Sequence, residues 1–569
     1  QRLQAFIDAV NEGYERVHRE FEEQFWGTKM ALKDPRFSTE ALTETKRAME
    51  AFLADRARLD ETRRWLEGGA ASSEQLAVLR IFERTFSCYI MEGEGTKALR
   101  DETTALEGKV EAARNSMKLG AEMPGGAGFV ELSSVGLRNR MRTDADDAVR
   151  RACYGGLCSI GPFICESGFI DIVKARNRLA KKLGYEDFYD YKVTQAEGFS
   201  KARLFEILDT LENGTRELLN QARERFEGEK GKDALKPWNI GFMMAGDVVK
   251  KLDPYFPFEK AVDNWARSYA AMGIKYKGST MTLDLLDRKR KYSNGFCHWP
   301  QPAWLRPDGS WQPSLANFTS LADPKAVGSG HTALTTLMHE AGHAAHFANI
   351  AQPSPLFSQE RAPTSVAYAE NQSMFLDSLV DDAAWRGRYA RSREGQPVPW
   401  ELLEEEIRAR RPYEVFALRG MLAVPYFEKA LYELPEEQLS AQKVQQLAEE
   451  VEQRIQGGPS ARPLLSVPHI LSDESSCYYH GYVLAEMSVH QTRAHFLETH
   501  GSIVDNPRVG PVLTEAYWKP GNSARFLDLV EGLTGKPLTG DAWVKDLQEP
   551  LEEVLKSERA EYDKAVKLG

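Results

Sequence analysis

His339-Glu340-Ala341-Gly342-His343 sets two imidazoles four residues apart, with a carboxylate directly after the first. On an α-helix, positions i and i+4 share a face, so both rings can reach one tetrahedral cation while Glu340, one step round, faces a water held beside it. That is a general base next to a Lewis acid, and the ion such a set calls for is zinc, one per chain. The local sequence supports the helix. Leu334, Leu337, Met338, Ala341 and Ala345 form an apolar face, and no proline falls between Pro324 and Pro353. Composition alone makes a chance motif of this form an event on the order of one in a hundred for a chain of this length. The plain alternative is a core helix carrying two satisfied histidines. His346 lies rotated off the ligand face and reads as a packing residue.

A three-ligand catalytic site needs one more donor, usually an acidic side chain on a following helix. Glu360, Glu370, Asp377, Asp381 and Asp382 follow the motif. Glu360 falls in the proline-broken connector from Pro353 to Pro363, where no helix would hold it. Residues 365–385 have helical periodicity, and Pro363-Thr364-Ser365 supplies a start. On that helix Glu370, Ser373 and Asp377 share a polar stripe among Phe375, Leu376, Leu379 and Val380. The stripe suits a buried ion's surroundings, and it also suits an ordinary solvated face.

The run from Thr364 to Asp377 resembles the third-ligand helix of the thimet oligopeptidase, oligopeptidase F and dipeptidyl carboxypeptidase family of zinc metallopeptidases. The resemblance implies Glu370 as third ligand and Asp377 as the carboxylate orienting a ligand histidine. Asp377 stands where glutamate is commoner, and the gap from His343 to Glu370 is 27 residues (370 − 343), slightly long for the family. Similarity continues through Leu283-Asp284, the basic run Arg288 to Lys291, Asn294-Gly295-Phe296-Cys297 and Ala316-Asn317-Phe318-Thr319, brief extended segments that predict a small sheet. Val173 to Tyr185, Lys236 to Asn239, Lys519 to Ser523 and Leu533 to Pro537 extend it over roughly residues 150–545, in order.

A second constellation is His469 followed by Tyr478-Tyr479-His480-Gly481-Tyr482. A tyrosine hydroxyl is a neutral donor suited to a developing oxyanion. With helix from Tyr478 to Met487, Tyr479 and Tyr482 share a face. The resemblance implies that His469 and Tyr482 bind the scissile carbonyl and the tetrahedral intermediate, with Tyr479 as a substrate contact. The alternative is a set of core tyrosines with wet hydroxyls.

The remaining features bound the function class. The chain has 569 residues, 42% hydrophobic and 28% charged, enough for a sizeable core and more than one small domain. A net charge of -11 argues against nucleic acid and anionic membranes as partners. No run of about 18 consecutive apolar residues occurs. The chain opens on Gln1-Arg2-Leu3-Gln4 without a hydrophobic signal core, and the missing initial Met leaves room for a removed leader. Six cysteines form no C-x-x-C pair, which fits a reducing, cytoplasmic setting. Nothing in the sequence would depress the Cys477 pKa and make it a nucleophile.

The pattern is helical from end to end. Helices are expected over residues 43–67, 73–89, 144–182 and 201–229, with a turn at Met123 to Gly128 and a solvated turn over 226–233. The expected fold is mainly α. By resemblance it is a two-lobed helical zinc peptidase with a deep central channel and a small β-sheet beside the zinc helix. A cut near 145 separates an N-terminal helical region, 1–145, from a catalytic region, 146–569, with lobes interleaved in sequence. The expected activity is zinc-dependent hydrolysis of peptide bonds in short unstructured oligopeptides. The alternatives are a dipeptidyl carboxypeptidase on the same scaffold and a non-catalytic peptide-binding protein. Oligomeric state is not legible.

Overall fold

The computed structural model describes residues 1–244, 248–288, 290–292 and 295–569, with Val135 lacking a described side chain. Lys289 and Asn294, two positions in the segments of family likeness, lie outside the described residues. Among the described residues the fold is mainly helical, with one three-stranded sheet and two short hairpin pairs.

The first helix, α1 (Arg2–Lys29), buries Leu3, Ile7, Val10, Tyr14, Val17 and Phe21, the three- and four-residue spacing of an amphipathic helix. The helix expected over 43–67 is two, Thr39–Leu53 and Arg56–Glu67. Asp55 separates them because its carboxylate accepts from Ala57 N–H and starts a new helix. The Ser73–Tyr89 helix begins at a capping box between Ser72 and Gln75. Met123 to Gly128 closes a hairpin between Gly120–Met123 and Gly128–Glu131. Helix Lys201–Lys230 runs through the first half of the tract expected to be a turn.

The stretch Asp147–Lys182 contains an 18-residue window of mean hydropathy 1.4, half of it buried in the protein. It is not one straight rod, since Gly168 at φ 122° interrupts it. Ile160, Ile164, Phe169, Ile172, Val173 and Leu179 put it in the core.

Three strands form the sheet beside the site: β1 (Thr280–Leu286), β2 (Phe296–Gln301) and β3 (Leu315–Ala322), in the order β1-β3-β2. β3 is central, parallel to β1 and antiparallel to β2, with Phe318 opposite both Leu283 and Cys297. The helix α2 (Ser329–Ala348) follows β3 directly and packs against it. Two tyrosines brace its middle turns: Tyr269 Oη donates to the Met338 carbonyl at 2.5 Å and Tyr276 Oη to that of Ala341 at 2.8 Å.

After a connector with one short 3₁₀ turn, Pro355–Ser358, comes α3 (Val366–Asp377). Ser365 caps it by accepting from Tyr368 N–H. The expected helix to residue 385 stops at Asp377, passes through a 3₁₀ turn over Ser378–Asp381, and resumes at Ala383. α3 is held between α2 and α4 (His480–His500) by glycines on both sides. A Cβ on Gly342 would sit 3.0 Å from Ser373 Cα, and one on Gly481 would sit 2.6 Å from Val366 Cβ. Only residues without a side chain permit these separations. The C-terminal loop adds a third restraint, where buried Asn522 Nδ2 donates to Thr364 Oγ1 at 2.7 Å, just before α3. Among the described residues the larger of two hydrophobic clusters joins residues from Leu3 to Tyr562, on both sides of position 145.

Candidate metal centre

The close approach of α2 and α3 brings His339, His343 and Glu370 together, with one donor atom from each within 4.8 Å of the others. Glu370 Oε2 lies 3.3 Å from His339 Nε2 and 3.5 Å from His343 Nε2. Nδ1 of His339 is 2.8 Å from Asp377 Oδ2, at the last residue of α3. A carboxylate there accepts a hydrogen bond from Nδ1–H, the tautomer that turns Nε2 toward the cluster. Two imidazole nitrogens and one carboxylate oxygen are the donor set of a three-ligand catalytic zinc site, so the residues fit such an ion. Nδ1 of His343 is buried without a hydrogen-bond partner among the described residues.

Charge balance follows from the same contacts. Burial pushes the Glu370 pKa up, but the two histidines more than offset it and hold the group far below the usual carboxylate range. Burial would lower the His339 pKa, yet the bonds to Asp377 and Glu370 raise it well above the ordinary value. Asp377 is pushed up to about 6, burial outweighing its bond to His339.

Glu340 is buried on α2 beside the start of β2, where a Cβ on Gly295 would lie 3.4 Å from Glu340 Oε1. Burial raises its pKa, partly offset by the charges of His339 and His343. An extended peptide could pair with a sheet edge near Gly295-Phe296 or Asn317-Phe318 on sequence grounds. The strand order removes the second, because β3 is central and both its edges are taken. Of the β2 edge, α1 covers the far end, where His18 Nε2 donates to the Trp299 carbonyl at 2.8 Å.

His469 sits in a 3₁₀ turn, Pro468–Ile470, and its ring meets those of Tyr479 and Tyr482 edge-on at 5.1 and 6.1 Å. Burial, with the nearby Arg462 charge, lowers the His469 pKa to about 4, so the ring is neutral at pH 7. The helix here starts at His480, with Tyr479 at its cap; Tyr479 and Tyr482 still neighbour each other at 5.2 Å. Tyr482 is the hydroxyl whose pKa is raised first by burial and next by the Glu370 charge, which puts it in electrostatic reach of the cluster. Tyr478, which the helical-face argument passes over, shares that trait, with Glu370 and Glu360 both acting on it. Its ring lies 5.7 Å from that of Tyr482.

His346 is fully buried, its ring stacked on Phe347 at 4.4 Å and apart from the donor cluster. Cys477 is buried and its thiol is pushed well above the ordinary range, so it holds no thiolate. Glu360 is not one of the three clustered donors, yet it is no remote surface residue. It is solvent-exposed while surrounded by protein, with a pKa pushed to about 7 by desolvation, and His343 and Glu370 are the first charges acting on it. Exposure together with enclosure places it on the wall of a cleft.

A helical fold with a His-His-Glu cluster on two crossing helices, and a free glutamate between the histidines, defines a metallopeptidase. The sequence model of peptidase family M3 matches residues 140–549, and the chain belongs to that family. Solved structures of similar fold include Trypanosoma cruzi metallocarboxypeptidase 1, with 16% identity, a TM-score of 0.64 and coverage of 96% of this chain and 99% of that one. Another is the M32 carboxypeptidase of Deinococcus radiodurans R1, with 14% identity, a TM-score of 0.63 and coverage of 97% and 100%.

Proposed function

We propose that the chain is a zinc-dependent oligoendopeptidase acting on short unstructured peptides. The observation that carries this reading is the convergence of His339, His343 and Glu370 on one point with Glu340 alongside, in a member of peptidase family M3. Zinc bound there supplies Lewis acidity toward a water and the scissile carbonyl. The chain supplies the rest. Asp377 keeps the His339 Nδ1 proton and hence its ring orientation. Glu340, with no hydrogen bond among the described residues, accepts the water proton on its carboxylate and returns it to the leaving amine. Tyr482 donates its hydroxyl hydrogen to the carbonyl oxygen as negative charge develops there, and neutral His469 contributes an N–H beside it. Tyr479 contacts the substrate.

The substrate backbone pairs with the edge of β2 at Gly295-Phe296, a mode tolerant of varied side chains. A folded domain cannot present an extended strand to a site with enclosed walls. A carboxypeptidase reading has one specific support, the two carboxypeptidases of similar fold. A length series of one peptide, from about six to forty residues, beside a stable globular protein, separates the readings. Internal cleavage of the short peptides alone is expected. Release of only C-terminal residues or dipeptides selects the carboxypeptidase, and rapid cleavage of the globular protein refutes the enclosed site.

A further inference from the structure

Beside the donor cluster the cleft has a recess between α1, His298-Trp299 of β2 and the connector Gln359 to Arg361, with an enclosed cavity of about 30 Å³, room for a group the size of an ammonium head. Its polar lining is rich in acceptors that lack donors. Glu22 is 8% exposed; Oε2 accepts from His298 Nδ1 at 2.7 Å, while Oε1 has no hydrogen bond among the described residues. The other His298 nitrogen, Nε2, is 3.0 Å from Asn317 Nδ2, a donor, so the Nδ1–H tautomer satisfies both contacts. His18, one turn before Glu22 on the same face and also 8% exposed, gives its Nε2 proton to Trp299. Its Nδ1 is therefore a lone pair, again without a partner among the described residues, and burial lowers its pKa so that it stays unprotonated. Glu360 stands at the junction of this pocket and the metal centre.

We infer that this pocket is a specificity subsite for a cationic side chain of the bound peptide, lysine or arginine, with Glu360, Glu22 and His18 as its acceptors. An ammonium or guanidinium group brings donors only, and Glu22 Oε1, the His18 Nδ1 lone pair and the Glu360 carboxyl can accept them. Met49, Leu53, Tyr89 and Trp299 offer the apolar wall along which the aliphatic stem of such a side chain lies. Arg361 is the one cation in the lining. It rests over the Phe21 ring at 4.9 Å with Nη2 3.9 Å from Glu22 Oε1, so the guanidinium is turned to Glu22, and Glu360 has no ion-pair partner among the described residues. A second metal is the wrong guest, because among the described residues His18, Glu22 and Glu360 do not gather within the 4.8 Å that joins the three donors of the metal centre.

The inference rests on the peptidase reading, and its test is a ratio measured within one protein. Peptides of one sequence carry lysine, norleucine or glutamate at each position flanking the cleaved bond in turn, and kcat/KM is measured for the full-length, zinc-loaded chain. Lysine is expected to exceed norleucine by about ten- to a hundredfold at one position, the worth of hydrogen bonds to a charged group. Glu360→Gln lowers that ratio by roughly tenfold, and Glu360→Lys reverses it in favour of glutamate. Glu360 is exposed, so neither change burdens folding, and the ratio is independent of the active fraction. Cleavage with a lysine-to-norleucine ratio near one at every position, or a ratio surviving both substitutions, overturns the subsite alone. Cleavage of none of the peptides overturns the peptidase reading and the subsite with it.

Discussion

Asp377 Oδ2 stands 2.8 Å from His339 Nδ1, so the last residue of α3 orients a ring carried in the middle of α2. The same helix brings Glu370 against both histidines, and its register therefore sets one candidate ligand and the tautomer of another. Replacing Asp377 by alanine removes the partner without touching a donor. Zinc affinity is expected to fall by about ten- to a hundredfold, read by competition with a chromophoric chelator. Affinity equal to the unmodified protein would mean that the ring is held by its packing and not by the carboxylate.

Glu340→Gln keeps the size of the side chain and removes the proton acceptor. One zinc per chain should remain bound by elemental analysis, while turnover of a quenched-fluorescent peptide falls by about a hundred- to ten-thousandfold. Full activity in this variant, or no zinc in the unmodified protein, sinks the assignment.

Glu370→Ala and Glu360→Ala should separate cleanly in metal content. Among the described residues Glu370 alone supplies an acidic donor within 4.8 Å of both histidine donors, so its loss removes one of three protein ligands and zinc retention collapses. Glu360→Ala should retain the metal, because its carboxylate stands on the cleft wall. The reverse pattern would place the third donor on the connector.

What the sequence disclosed follows from how local each signal is. The α2 helix, its ligand face and the Ser365 start of α3 rest on spacing within a single element, and spacing is visible in one dimension. The end of α3 at Asp377 is not visible, because the apolar periodicity runs on through Val380 while the backbone tightens into a 3₁₀ turn. The setting of Glu360 was hidden for a related reason: a proline-rich connector lacks helical order, yet tertiary contacts still aim its side chains into the cleft. Glycines 342 and 481 carry the helix–helix approach, a role that depends on what lies across the gap. The strand order β1-β3-β2, which decides which backbone is free to meet a peptide, is a matter of long-range pairing.

Tyr482→Phe and Tyr478→Phe compare the two hydroxyls that feel the Glu370 charge. A donor used only as charge develops affects kcat and spares KM. Tyr482→Phe is expected to lower kcat by roughly a hundredfold with little change in KM. A change confined to KM would make Tyr482 a ground-state contact, and a kcat loss seen only with Tyr478→Phe would move the role to the residue that the helical-face argument passed over.

The junction of α3 and α4 contains a buried acid whose titration should be visible in stability. Glu197 is 3% exposed, with both carboxylate oxygens lacking a hydrogen-bond partner among the described residues and His480 Nε2 at 3.8 Å. Desolvation raises its pKa from 4.5 to about 7, the approach of Ser365 and Val366 and the charges of Arg525 and Arg84 offsetting only part. His480 beside it is lowered to about 3 by burial, so it is neutral near pH 7 and supplies no compensating charge. A raised acid pKa means that the folded state binds the proton more tightly than the unfolded chain does. The stability from this group is therefore complete below about pH 4.5 and is lost as pH rises toward 7, by at most about 3 kcal/mol. Glu197→Gln keeps a neutral side chain at every pH and removes that loss. Relative to the unmodified protein, the variant should gain stability steadily between about pH 5 and 7.5, measured by urea unfolding at matched zinc. A difference independent of pH over that range would show that Glu197 is ionised in the folded protein, with a donor satisfying it at the α3–α4 junction.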